Sequence, residues 1–297
     1  MKELLFILLF ICKYCVTSSG QGPKVLIVIA HPDDETAMAT TVYKITHEQQ
    51  GIVDLCLITN GEGGYKYSTL AEDYYDLELT NESIGREHLP RIRKEELMNA
   101  GKIIGIRNYF FLDQKDTKYG LNELDPLDTA WNTALVKQRI IDEINKNRYD
   151  YIFAVIPDPT THAHHKAATI LALQAVMSLP DSLKPIILGV SLGELKDTLA
   201  HDFVQLKDYF ETRIDTTIAP FYTDRTQKFG FKDKLDYKII VNWEIAEHKS
   251  QGTMQLAMNQ GDVELFYYFG INSPTKVGAC RTFFQKLNAY KPPVKTY

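Results

Sequence analysis

A chain of 297 residues, 44% of them apolar and 24% charged, has the composition of an ordinary globular protein and excludes a disordered or fibrous one. Its formal net charge of −5 argues against a nucleic acid or another polyanion as partner. The length allows a sizeable core without disulfides or structural metals.

The first 20 residues differ from the rest. Lys2 opens a short positive region, Leu4 to Cys12 form an apolar run, and Val16-Thr17-Ser18-Ser19-Gly20 supplies small residues. This is the layout of a secretory signal peptide cut near Gln21, and it predicts an exported protein, periplasmic or secreted. The run is shorter than the ~20 residues a spanning helix needs. Without residues 1–20 the chain keeps 31 basic and 37 acidic residues, a net charge of −6, with Cys56 and Cys280 as its cysteines. They could pair in an oxidising compartment or stay free, and spacing does not choose. Cys56 sits in an apolar, strand-like run, which favours a buried thiol.

From Lys24 onward, apolar runs alternate with amphipathic stretches. Strands are predicted at Lys24–Ala30, Val53–Thr59, Tyr109–Leu112, Tyr151–Ile156 and Pro185–Val190, with helices over about 36–49, 91–104, 130–146 and 165–178. The alternation predicts an α/β fold: a Rossmann-like, mostly parallel sheet flanked by helices. Residues 62–90 are polar, rich in tyrosine and without a clean period, the kind of long connection that is usually functional or mobile. Further on, Asp236–Val241 reads as a strand and Trp243–Asn259 as a helix. No later segment reaches transmembrane length, and with no internal repeat or linker, residues 21–297 read as one domain.

An open parallel sheet binds ligands outside the carboxyl ends of its strands. Three candidate clusters fall there, Thr59-Asn60-Gly61-Glu62 after the second strand among them, and the other two are chemically loaded. His31-Pro32-Asp33-Asp34-Glu35 packs three carboxylates and an imidazole into one turn, where like charges repel unless a cation or hydrogen bonds offset them. A divalent metal meets that need; an alternative is that Asp34 or Glu35 caps the next helix while His31 bonds to backbone. The second cluster, Thr161-His162-Ala163-His164-His165-Lys166, places three histidines in four positions at a strand-to-helix junction. Histidine is the commonest metal ligand. Two histidines and one carboxylate on one metal leave positions open for water and substrate, the catalytic pattern for zinc. The same set resembles the facial triad of iron(II) oxygenases. The second carboxylate, Asp33, favours hydrolysis, since it can take a proton from activated water.

Ala30-His31-Pro32-Asp33-Asp34-Glu35 resembles the signature of the PIG-L/LmbE-like zinc-dependent N-acetylglucosaminyl deacetylases. The resemblance continues in order through Arg93, Glu96, Ala100 and Ile104-Gly105, then Phe111 to Asp116, His162-Ala163-His164-His165, and His248-Lys249-Ser250-Gln251. It implies that His31, Asp34 and His165 bind Zn2+ and that Asp33 is the general base and later the acid. It further implies that His162 stabilises an oxyanion, Arg93 holds substrate polar groups, and Asp116 touches substrate or orients His162. For Arg93 the alternative is a surface i,i+3 pair with Glu96, and for His248 a structural hydrogen bond. The chain departs from the family at Ala163-His164, where Pro-Asp is usual, and at Thr40 and Thr41, where a glycine pair is common. His164 is read as either a change in how the neighbouring imidazole is tuned or an exposed replacement.

The expected substrate is a small molecule, glycan or glycolipid carrying an N-acetylated amino sugar, with Tyr65, Tyr67, Tyr74 and Tyr75 suited to a sugar-stacking rim. The rivals are a zinc amidohydrolase for a non-sugar amide and a non-catalytic glycan-binding module. A nucleotide-binding protein is disfavoured, because no glycine-rich phosphate loop follows the first strand.

Overall fold

The computed structural model describes residues 22–195 and 202–290, so the expected leader lies outside the described residues. In chain order the strands are β1 (Lys24–Ile29), β2 (Ile52–Thr59), β3 (Asn108–Gln114), β4 (Tyr151–Val155), β5 (Ile186–Gly193), β6 (Phe221–Asp224), β7 (Lys228–Phe229), β8 (Leu235–Asp236) and β9 (Val263–Tyr268). The α-helices are α1 (Ala39–Tyr43), α2 (Glu72–Tyr75), α3 (Glu82–Ile104), α4 (Thr133–Asn147), α5 (Ala163–Met177), α6 (Lys238–Glu247), α7 (Gly252–Gln255) and α8 (Val277–Ala289).

Seven strands form one sheet in the order β3-β2-β1-β4-β5-β9-β6. The first five pair parallel, whereas β9 runs antiparallel to both β5 and β6. Parallel strands covered on both faces must be apolar on both, and β1 shows it. Val25, Ile27 and Ile29 enter the core under α1, α3, α6 and α8, while Leu26 and Val28 enter the one under α4 and α5. Cys56 and Cys280 fall in these two separate cores, and both are buried free thiols.

The five predicted strands and their parallel order are present. Helix α3 starts earlier than its apolar pattern, because Asn81 caps it by accepting from the amides of Ser83 and Ile84. It ends at Gly105, whose φ of 83° is the left-handed conformation glycine adopts without steric cost. Two expectations fail. Asp236–Val241 is not a strand: from Lys238 it is α6, which buries Ile240, Val241, Glu244 and Ile245 below Tyr237, at helical rather than alternating spacing. The helix expected over Trp243–Asn259 breaks after Glu247 and resumes only at Gly252–Gln255. Strands β6 and β9 had no counterpart in the sequence reading. Among the described residues no helix is long and apolar enough to cross a membrane.

Candidate active site

Strand β1 ends at Ile29, and the chain turns through His31–Asp34 into a helical run that includes α1. Inside that turn the amides of Ala30 and His31 donate to Asp34 Oδ2 at 3.0 and 2.9 Å, which fixes the carboxylate and leaves Oδ1 to face the cavity side. On the other side of β1, β4 leads into α5, whose first turn carries His164 and His165, with His162 just before it. The parallel pairing of β1 with β4 therefore brings residues more than 130 positions apart to one rim.

There His31 Nδ1, Asp34 Oδ1 and His165 Nε2 converge. The two nitrogens are 3.1 Å apart, and the carboxylate oxygen is 3.0 Å from His165 and 3.7 Å from His31. A tetrahedral ion with bonds of ~2.0–2.1 Å has ligand–ligand edges of about 3.3 Å. The three donor atoms therefore fit a divalent metal by spacing as well as by type. His165 is steadied from behind by Thr161 Oγ1, 3.1 Å from its Nδ1.

The electrostatics agree. Burial pushes the Asp34 carboxyl up, but His165 and His31 outweigh it and hold it well below the usual carboxylate range. Burial lowers His31, yet Asp116, Asp34 and Asp33 more than compensate and raise it. Asp116 is likewise held low, the facing His31 and His164 overcoming its burial. Carboxylates and imidazoles so arranged favour positive charge among them, which a proton on His31 or a bound cation would supply.

Asp33 points along another edge of the site. Its Oδ2 lies 3.0 Å from Arg93 Nη2, and Arg93 also donates to the carbonyls of Gly61 and Pro32 at 2.7 and 3.2 Å. Arg93 is 2% exposed, so the surface pair with Glu96 is replaced by a buried clamp on the proposed base. Glu96 instead accepts from Tyr75 Oη, Ser250 N and Ser250 Oγ. Gly61, at φ 73°, makes the turn that presents its carbonyl, and a Cβ on Gly63 would lie 2.5 Å from Asp116 Oδ1.

His162 stacks between the rings of Tyr119 and His31, with centroids 5.0 Å away in both cases, and its Nε2 lies 3.2 Å from the Lys118 carbonyl. Burial first, then His31 and His164, lower its pKa to about 3, so the ring is neutral. Asp116, 4% exposed, meets His164 Nδ1 at 3.4 Å and His31 Nε2 at 3.9 Å. All seven candidate residues line one cavity of about 680 Å³, along with Tyr65, Tyr67, Tyr119, Gln251 and Met254.

His164 is not an exposed replacement: it is 1% exposed and contacts His31. His248 has the structural role, its Nε2 2.7 Å from Glu35 Oε1 in the buried layer beneath the turn. The sequence reading missed Tyr119, because a single aromatic in a loop carries no periodic signal. It also missed Glu264, which accepts from Thr40 N, Thr41 N and Thr41 Oγ1 and ion-pairs with Arg225 at 2.9 Å. This pair anchors the start of α1 just behind the His31–Asp34 turn.

Comparison with known proteins places this geometry. Residues 26–176 match the family model "PIG-L: GlcNAc-PI de-N-acetylase". A Bacillus cereus protein described as "Probable N-acetyl-alpha-D-glucosaminyl L-malate deacetylase 2" is 26% identical over 175 residues, 59% of this chain and 70% of the relative. Among solved structures, a deacetylase of the A40926 pseudoaglycone superposes with a TM-score of 0.52 at 14% identity, covering 84% of this chain and 97% of its own. A 4-carboxy-2-hydroxymuconate hydratase from Pseudomonas putida superposes with a TM-score of 0.51 at 15% identity over the same shares. At such identities the structures bear on the fold alone. The family match spans half of the chain and contains the convergent turn, α3 and the histidine cluster: this chain belongs to the PIG-L (GlcNAc-PI de-N-acetylase) family.

Proposed function

We propose that this protein is a zinc-dependent deacetylase that hydrolyses the N-acetyl group of an amino-sugar substrate. The observation that carries this reading is the triangle of His31 Nδ1, Asp34 Oδ1 and His165 Nε2 at the cavity, with Asp33 beside it held by Arg93. Zinc, when bound there, supplies Lewis acidity, lowering the pKa of water to ~7 and polarising the acyl oxygen.

The protein's own groups do the rest. Asp33 accepts the proton of the attacking water and returns it to the leaving amine. The Arg93 guanidinium keeps Asp33 aimed, so substitution of Arg93 acts on the base as well as on substrate. His162, neutral and hydrogen-bonded to the Lys118 carbonyl, can donate to a developing oxyanion only after its ring leaves that carbonyl. Tyr65, Tyr67 and Tyr119 offer faces on which a sugar ring can stack. Asp116, behind the histidines, is placed to meet a substrate hydroxyl at the cavity floor.

A second reading is hydrolysis of a non-sugar amide, since the scaffold alone does not dictate acetyl-sugar chemistry: a hydratase shares the fold. If the leader is cut near Gln21, the substrate is an envelope or extracellular glycan, glycolipid or aminosugar conjugate. The test is acetate release from N-acetylglucosamine, its β-linked oligomers, a glycolipid analogue and simple N-acyl amides. Acetate from the sugars alone supports the first reading, and acetate from the simple amides alone supports the second. No acetate from any of them contradicts the deacetylase reading.

A further inference from the structure

His31 has two ring nitrogens, and the proposed metal accounts for only one. With Nδ1 turned to Asp34 and His165, the ring must carry its proton on Nε2. A buried N–H needs an acceptor. Nε2 lies 3.1 Å from Nδ1 of His164, whose own Nε2 is 3.2 Å from Thr117 Oγ1. With the metal on Nδ1, His31 donates from Nε2 and His164 accepts at Nδ1, which leaves His164 Nε2 to donate to Thr117 Oγ1. Asp116 Oδ1 flanks this pair, 3.4 Å from His164 Nδ1 and 3.9 Å from His31 Nε2, and its charge favours the partial positive charge His31 gains on ligation. The assembly is enclosed: His164 is 1% exposed, and its ring lies 5.2 Å from that of Trp131.

We infer that His164 is a positioning residue for the metal site, the acceptor that fixes the tautomer and ring plane in which His31 offers Nδ1 to the metal. This rests on the metal reading above. Partners behind metal-bound histidines orient the ring and raise its basicity, and losing one costs about 10–100-fold in metal affinity. Here a histidine takes that place, at the position where the chain departs from the family pattern.

The experiment compares wild type, His164→Phe and His164→Asn. Phenylalanine keeps an aromatic ring against Trp131 and removes the acceptor. Asparagine brings an amide oxygen close to where Nδ1 sits. For each, zinc affinity is measured by chelator competition, the visible spectrum is recorded with Co2+ in the site, and apo-protein melting reports folding. The expected result is a roughly 10–100-fold weaker zinc affinity and a shifted Co2+ band in the Phe variant. The Asn variant recovers most of both, and apo melting is close to wild type in all three. Unchanged affinity and spectrum in the Phe variant overturn the inference, as does an Asn variant no better than the Phe variant. Two zinc ions per wild-type chain, one of them lost with His164, also overturn it, because the His31–His164–Asp116 triangle would then be a cation site of its own. A wild type that binds no metal strikes the proposed function instead, so the two failures are distinguishable.

Discussion

Two groups of buried carboxylates meet the same helical run, one at its first residue and one at the start of α1, and they solve the problem of burial differently. Behind the start of α1, Glu264 is fully satisfied: two backbone amides, a threonine hydroxyl and the Arg225 guanidinium meet its oxygens. At the carboxyl end of β1, Asp34 spends one oxygen on two amides, while the other faces a ring nitrogen of each of two imidazoles. The first group is complete without anything from solution. The second is ordered by the protein yet opens onto the cavity, with donor atoms of the type and spacing that a divalent cation would fit. Asp33, held by one guanidinium and open to the cavity, stands between these cases.

The comparison can be broken by substitution. Asp33→Ala should cost the most, ~10²–10⁴-fold in kcat, with metal content unchanged. Loss of metal in that variant would move Asp33 from base to ligand. Next comes the closed group: Glu264→Ala leaves Arg225 buried and unpaired and should destabilise the fold by about 3–5 kcal/mol in denaturant titrations. It should do so equally with and without metal, and a metal-dependent loss would couple the two groups more tightly than the contacts imply. Metal supplied at ~100 times its dissociation constant should stabilise wild type by about 2.7 kcal/mol. The same addition should do nothing for Asp34→Asn if that oxygen is a ligand.

The smallest effect sharpens the contrast between satisfied and unsatisfied acids. Glu244, on α6, is buried with neither carboxylate oxygen hydrogen-bonded, and its burial, with Glu35 nearby, raises its pKa well above the ordinary value. A raised carboxyl pKa means that its neutral form is the one suited to the fold. Stability is then fully present below the unfolded-state pKa and is lost as pH rises toward the folded one. Glu244→Gln should therefore raise the melting temperature by a few degrees at pH 7 and change little at pH 4. Equal gains at both pH values would mean that packing, not ionisation, is responsible.

The legible and illegible parts of the molecule divide along the same line. Strands β1 to β5 are continuous apolar runs, and motifs at their carboxyl ends can be read because parallel topology dictates where they meet. The 31–35 and 161–166 clusters could be brought together that way, while the choice of His31, Asp34 and His165 among them rested on the family resemblance. Spacing alone would pair Arg93 with Glu96 on a surface, since i,i+3 spacing says nothing of the Gly61 and Pro32 carbonyls that capture it. His164 was hidden because burial at the first turn of a helix depends on what packs against it. Strand β9 carries a buried glutamate that only the distant Arg225 and the α1 amides make tolerable, so its sequence does not advertise a core strand. Residues 237–241 misled because five consecutive largely apolar positions fit either period.

The most direct test of the central claim is a crystal of the zinc-loaded protein measured at the zinc absorption edge. The account predicts one anomalous peak about 2.0–2.2 Å from His31 Nδ1, Asp34 Oδ1 and His165 Nε2. A peak between His31 Nε2, His164 and Asp116 instead, or none in a protein that still releases acetate, would contradict it.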